Sequence, residues 1–356
     1  MNTLFIGKTK FLIEYEIECN DKFEDHYLLH HTSEQQISRT DTLIVIKVHF
    51  RKSIQSAIDD FRISIGTKKI FKKTDFFYFE CQSDTLRKGI AAIETKYPDK
   101  HIILKNNNIS YTFINVCSAQ IGYQNLIRFC RDLALDELEK KGGILLHAAA
   151  VVDPKGKAHL ILGNSGCGKT TIAMNFILGG YKFLSNDRCL VDQDLNAYYF
   201  PHYHRIGYGT FNGVLSRLKK GDGLESKVTA FCELPTECQT WGSREKVSFS
   251  TKSYCSITES ELISCAKIQS VITPSMNLES DHIELIRDKL SYRLFIKNVL
   301  SKNEKDFNRK YWHDFGSFNI INESIKNIYR NLHLGRVYSI RGNANLLQNF
   351  NPPGRL

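Results

Sequence analysis

The sequence has no run approaching the roughly 18–20 consecutive apolar residues that a membrane span requires. Its opening stretch, MNTLFIGKTKFLIEYEIECND, meets acidic residues too early for a secretory signal. A soluble, cytoplasmic protein with no membrane partner is expected. The ten cysteines form no CxxC pair and no regular framework, which argues against a disulfide scaffold. Cys232 and Cys238 come nearest to ligand spacing, but no His or Cys partner stands at finger distance, so zinc is not expected. Internal repeats and low-complexity tracts are missing too. The net charge is +10, yet the Lys and Arg are dispersed among acidic residues and not gathered into a tract. That pattern fits a solvated basic surface and disfavours dedicated nucleic-acid recognition.

What is present implies more than one packing unit, because 356 residues exceed a typical domain of about 100–200. Up to about Ile121, short β-rich runs such as TLIVIKVHF, FFYFE and ISYTFINV alternate with polar connections. These predict a mainly β domain over 1–121 with a largely antiparallel sheet. One stretch in it, TLRKGIAAIETKY, reads as a helix stopped before Pro98. An amphipathic helix carrying Leu126, Phe129, Leu133, Leu135 and Leu138 follows, closed by Gly142 and Gly143. ILLHAAAVV then reads as one buried strand, Asp153, Pro154, Lys155 and Gly156 as a hairpin turn, and AHLILG as the returning strand. This opens a core domain over 122–290. Residues 291–356 predict helices, from YRLFIKNVL and FNIINESIKNIYRNL, then a final strand RVYSI and a Gly, Asn and Pro-rich tail expected to be mobile at its tip.

The chemistry is concentrated in LILGNSGCGKTTIAMNFILGG, where an apolar strand, a GxxxxGKT loop and an amphipathic helix follow in that order. A triphosphate crowds negative oxygens that need donors without intervening bulk. Gly163, Gly166 and Gly168 let the backbone turn and present N–H groups together with Asn164, Ser165 and Cys167. The helix starting near Lys169 adds its unsatisfied amides and dipole. Lys169 is expected to reach the β and γ phosphates, Thr170 to enter a Mg²⁺ shell, and Thr171 either to meet the α-phosphate side or to pack. Cys167 fills a tolerant position, where the helix N-terminus could lower its thiol pKa. Downstream, YKFLSNDR leads an apolar run into Asn186, Asp187 and Arg188, and Asp187 is the nearest acidic candidate for holding the metal. Arg205, before a Gly-rich turn, is a candidate phosphate-facing cation. His202 and His204 would share one face of a strand and are left unassigned.

The segment HAAAVVDPKGKAHLILGNSGCGKTTIAMNFILGGYKFLSNDR resembles the core of the HPr kinase/phosphorylase type of P-loop kinase, a fold shared with ATP-dependent phosphoenolpyruvate carboxykinase. The likeness runs from His147 to about Asp192, with an echo through PHYHRIGYGTF, under a third of the chain. It implies an α/β, carboxykinase-like P-loop core with ATP or another nucleoside triphosphate and Mg²⁺ as cofactors. It also implies that His147 lies near the γ-phosphate, that Asp187 takes the metal-linked acidic position and that Arg188 supports it; HPr kinases resembling this core form hexamers, which leaves a homo-oligomer open. HPr-directed enzymes have paired aspartates before the Arg, the first acting as acid/base; Asn186 stands there instead and cannot accept a proton. His147, Asp192 and Asp194 are the substitutes to consider. The C-terminal part does not reproduce the HPr-binding stretch, and the surrounding regions look more like relatives that tailor peptides and natural products, lasso-peptide precursor kinases among them. The expected function is transfer of the γ-phosphate to a hydroxyl, such as a serine, of a peptide, protein or small-molecule precursor. A nucleotide-binding regulatory module or slow ATPase remains open as the alternative.

Overall fold

The computed structural model describes residues 2–16, 42–73, 76–85, 88–95, 100–116, 123–220, 222–241, 243, 245–277, 280–301, 318–343 and 346. The expected mobile tail beyond Asn343 lies, apart from residue 346, outside the described residues. The architecture is mixed α/β with mixed sheets. The described residues divide into two compact units, one up to Glu137 and one from Leu138 onward.

In the first unit the elements are β1 (Asn2–Ile6), β2 (Thr9–Tyr15), β3 (Thr42–Arg51), α1 (Ile54–Phe61), β4 (Ile63–Lys73), β5 (Phe76–Ser83), β6 (Lys88–Thr95), β7 (Lys100–Lys105), β8 (Ser110–Val116) and most of α2 (Tyr123–Lys140). The eight strands form one sheet in the order β1-β2-β3-β8-β7-β6-β5-β4, parallel at β2–β3 and β3–β8 and antiparallel elsewhere. The helix expected over TLRKGIAAIETKY is instead strand β6, paired on both sides. Its Ala and Leu content favours a helix locally, but Ile90, Ala91 and Ala92 are all buried between neighbouring strands, and tertiary pairing overrides propensity. Gly89 fits only there: a Cβ would sit 2.3 Å from the Ile103 carbonyl oxygen.

The second unit begins with β9 (Ile144–Leu146), β10 (Ala148–Val152), β11 (Ala158–Leu162), α3 (Lys169–Leu178), β12 (Lys182–Ser185), β13 (Cys189–Val191) and β14 (Asn196–Tyr199). It continues through β15 (His204–Gly207), α4 (Tyr208–Val214), α5 (Asp222–Cys232), β16 (Lys246–Phe249), α6 (Thr251–Thr258) and β17 (Cys265–Asn277). It ends with β18 (Ile283–Arg287), α7 (Tyr292–Lys297), α8 (Phe318–Leu334) and β19 (Arg336–Asn343). ILLHAAAVV is therefore two strands, not one: β9 pairs with β13, β10 pairs with β11 and β12, and the chain changes partner at His147, whose amide donates to the Asn298 carbonyl at 2.7 Å. YRLFIKNVL is helical only to Lys297, because Val299 bridges to Leu146; within the expected C-terminal helical stretch, 302–317 lie outside the described residues.

Strand β17 organises the sheet, pairing antiparallel with β14 through its first residues and parallel with β11 and β19 beyond them. Alternation along β10 and β11 supplies two cores. Ala148, Ala150, Val152, Leu160 and Leu162 face one that includes Phe295, Ile325 and Ile328 from α7 and α8. Ala149, Val151 and Ile161 face another that includes Ile172, Phe176 and Phe211 from α3 and α4. Helix α3 is buried on nearly every side, so it lacks the polar face of the amphipathic helix expected from its sequence.

Among the described residues three histidines lie wholly inside this framework, His101 in the first unit and His159 and His204 in the second. His101 stacks on Phe113, and His204 packs against Phe183 and Tyr254 while its Nε2 meets the Thr251 hydroxyl at 3.0 Å. Burial lowers the imidazoles of His101 and His204 to about 3. An unfolded chain takes up these protons from about pH 6.5 downward and the folded chain does not, so folding stability falls as pH drops from there toward 3. Each histidine can contribute a slope of up to about 1.4 kcal/mol per pH unit across that window. Urea unfolding followed between pH 7 and 4 should show this loss, and His204→Gln should flatten it.

Candidate active site

The sheet brings the predicted residues to one edge. Because β10 runs antiparallel to both β11 and β12, with Ala148 opposite Leu162 and Ala150 opposite Ser185, the start of β10 meets the ends of both neighbours. His147, the loop after Leu162 and the turn after Ser185 therefore converge. The β10–β11 hairpin is tightened by Asp153, whose Oδ1 accepts from the amides of Lys155 and Lys157 at 2.9 and 2.8 Å.

The loop Gly163–Gly168 connects β11 to α3, with Gly168 at the helix N-cap position. Gly168 has φ +101°, and a Cβ there would lie 2.6 Å from Met276 Cγ on β17, so both backbone conformation and space demand glycine. The Lys169 ammonium donates to the carbonyls of Gly163 and Asn164 at 2.9 and 3.2 Å, folding the side chain back over the loop. Burial lowers the Lys169 pKa and nearby Lys246 adds to this, while Cys167 and Asp187 act against it. Burial also raises the Cys167 thiol despite Lys169 and the backbone amides. This reverses the lowering expected from its place at the helix N-terminus. At neutral pH, Cys167 should therefore be alkylated by iodoacetamide more slowly than exposed Cys232, as read by mass spectrometry of the peptides.

Two consecutive threonines point to different structures, as neighbours about 100° apart on a helix must. The Thr170 hydroxyl donates to Asn186 Oδ1 at 3.1 Å, whereas Thr171 meets the Thr210 hydroxyl of α4 at 2.7 Å. Asn186 is only 2 % exposed and its amide nitrogen has no hydrogen-bond partner among the described residues. The turn that follows β12 is closed by the Ser185 hydroxyl donating to the Arg188 carbonyl. It holds Asp187 at φ +75°, an uncommon conformation for a residue other than glycine and one that Asp tolerates better than most. Asp187 Oδ1 lies 2.9 Å from His147 Nε2. Burial pushes the Asp187 carboxyl up, but the hydrogen bond and charge of His147, together with the charges of His202 and Arg188, outweigh it and hold the group well below the usual carboxylate range.

A cavity of about 760 Å³ opens over this edge. His147, Ser165, Gly166, Gly168, Lys169, Thr170, Thr171, Asp187 and Arg205 from the sequence reading all line it. Gly163, Asn164 and Cys167 belong to the loop, and Asn186 and Arg188 to the β12 turn, without lining the cavity. Asp192 accepts from the Asn196 amide and from Tyr198 Oη at 2.8 and 2.7 Å, which makes it the anchor of the β13–β14 turn and removes it as a substitute base. The Asp194 carbonyl accepts from Lys267, and neither aspartate reaches the cavity. His202 precedes β15 and so does not share a strand face with buried His204.

Sequence reasoning missed Trp241, Lys246 and Met276, all of which line the cavity. Lys246 was recoverable in part. Opposed residues of an antiparallel ribbon share a face, and β15 pairs Gly207 with Lys246 and Arg205 with Ser248. Trp241 carries no local signature.

The donor set is of the hard-oxygen type. Magnesium is usually held by one or two protein oxygens, with phosphates and water completing its shell; the Thr170 hydroxyl and the second carboxylate oxygen of Asp187 fit that requirement. Among the described residues, no group of three or more His, Cys, Asp or Glu gathers as a self-sufficient metal cage, and no helix is long and apolar enough to cross a membrane. No protein-family model matches the chain, and no curated protein matches it.

Proposed function

We propose that the protein is an ATP- and Mg²⁺-dependent phosphotransferase of the HPr kinase-like P-loop type, acting on a hydroxyl such as a serine of a peptide, protein or natural-product precursor. The observation that carries this reading is the convergence of Lys169, Thr170 and the His147–Asp187 pair on one cavity. When bound, Mg·ATP supplies the transferable phosphoryl group and a divalent charge on its oxygens. Lys169 exchanges its two loop carbonyls for phosphate oxygens and counters the developing negative charge. Asp187 turns one carboxylate oxygen to the imidazole and leaves the other for the ion. His147, oriented by that contact, takes the proton of the acceptor hydroxyl at the ring nitrogen not engaged by Asp187. Asn186 fixes the Thr170 rotamer by accepting a hydrogen bond from its hydroxyl, a positioning task that needs no base.

One observation favours a second reading. An amide at the position where the resembled enzymes carry an acid/base is consistent with a nucleotide-binding regulatory module or a slow ATPase. Incubation with γ-labelled ATP, Mg²⁺ and a panel of serine-bearing peptides separates the two. Label recovered stoichiometrically on an acceptor supports the kinase, and label appearing only as inorganic phosphate or remaining on ATP supports the alternative.

A further inference from the structure

We infer that Trp241 is the platform on which the nucleobase stacks, so that one cavity holds both the phosphate and the nucleoside ends of the ligand. The inference rests on the nucleotide reading above and adds the position of the base. The loop fixes the direction in which a triphosphate runs, since its amides cradle the α and β phosphates while Lys169 reaches toward β and γ. Thr170, bonded to Asn186, and the His147–Asp187 pair mark the metal and γ-phosphate side. Thr171 leaves the helix in another direction and meets Thr210. Thr210 follows Gly209, and a Cβ at Gly209 would lie 2.5 Å from Trp241 Cδ2, so the indole is packed directly against the start of α4. Gly213, one turn on, approaches the same ring, with Cζ2 3.3 Å from where its Cβ would be. A side chain at position 209 would displace the indole.

The sequence Thr171, Thr210, Gly209, Trp241 thus traces a path away from the reacting end to a large aromatic surface that still lines the cavity. Thr240 and Ser243, beside it in the lining, offer hydroxyls that both donate and accept. An aromatic ring packed against the backbone of α4 and lining a cavity suits a flat heterocycle, and stacking tolerates any base because each has a π-face. Arg205 and Lys246, on one face of the β15–β16 ribbon, also line the cavity and would supply cations to the phosphate chain.

The test compares two ligands that share the phosphates and differ in the nucleoside: Mg·ATP and Mg·tripolyphosphate, titrated calorimetrically into the full chain. Trp241→Leu should weaken ATP binding by about tenfold or more and leave tripolyphosphate within about twofold. Trp241→Phe, which keeps an aromatic face, should retain most of the ATP affinity and guards against a folding defect in the leucine variant. The chain has two tryptophans, so in a Trp312→Phe background ATP should change the Trp241 emission and tripolyphosphate should not. Equal weakening of both ligands in the leucine variant, no weakening of either, or ATP binding that leaves Trp241 emission unchanged would overturn the assignment. Failure of the unaltered protein to bind either ligand would instead sink the nucleotide reading, and the platform with it.

Discussion

Lys169→Ala is expected to lower phosphoryl transfer by about 10³-fold, equivalent to roughly 4 kcal/mol of transition-state stabilisation. Lys169 is fixed at the start of α3 beside the loop amides, and it is 7 % exposed, so water cannot readily replace it. Its two contacts in this structure, the carbonyls of Gly163 and Asn164, are the kind a phosphate oxygen displaces, because an ammonium gains more from an anion than from a neutral acceptor. The alanine variant leaves those carbonyls at the mouth of the loop, where water can solvate them, so the fold should survive. Single-turnover transfer of labelled phosphate, compared with a thermal melt, separates lost chemistry from lost structure. A melt shifted by many degrees together with the lost rate would mean that the lysine braces the loop and does not act on phosphate.

The second large effect is expected at Asp187. Asp187→Asn preserves shape and can still hydrogen-bond to His147, but it removes the one negative charge that lines the cavity among the described residues. Transfer should fall by about 10³-fold at fixed Mg²⁺, with the midpoint of the Mg²⁺ titration rising by an order of magnitude or more. Asn186→Asp offers the contrast. It keeps an acceptor for Thr170 and adds a carboxylate beside Asp187, so Mg²⁺ dependence should change far less than in Asp187→Asn. A rate increase of about 10²-fold or more in Asn186→Asp would show that the chain lacks a base and that His147 does not serve as one.

How these groups come together was legible in the sequence where the signal is contiguous. The strand, loop and helix from Leu160 to Gly180 are read from the chain because glycine, lysine and threonine requirements fall at fixed short spacings. His147 and Asp187, forty residues apart, could be linked only through a resemblance in motif order; the antiparallel register of β10 against β11 and β12 supplies the physical reason they meet. Trp241 and Met276 were not legible, since they reach the cavity from a loop and a strand end that have no signature of their own, and Lys246 is tied to the site only through the register of the β15–β16 ribbon. The same limit explains β6, where Ala91 and Ala92 suit a helix as well as a strand and only pairing with β5 and β7 decides. It also explains the elimination of Asp192, whose role in the β13–β14 turn depends on Tyr198 folding back onto it.

The reading depends on a polyphosphate being gripped at the start of α3, and calorimetric titration of Mg·ATP into the unaltered protein and into Lys169→Ala tests that most directly. The expected result is a saturable heat with one site per chain in the former and a loss of affinity of about 10²-fold or more in the latter. No heat with either ATP or GTP, or identical isotherms for the two proteins, would contradict it.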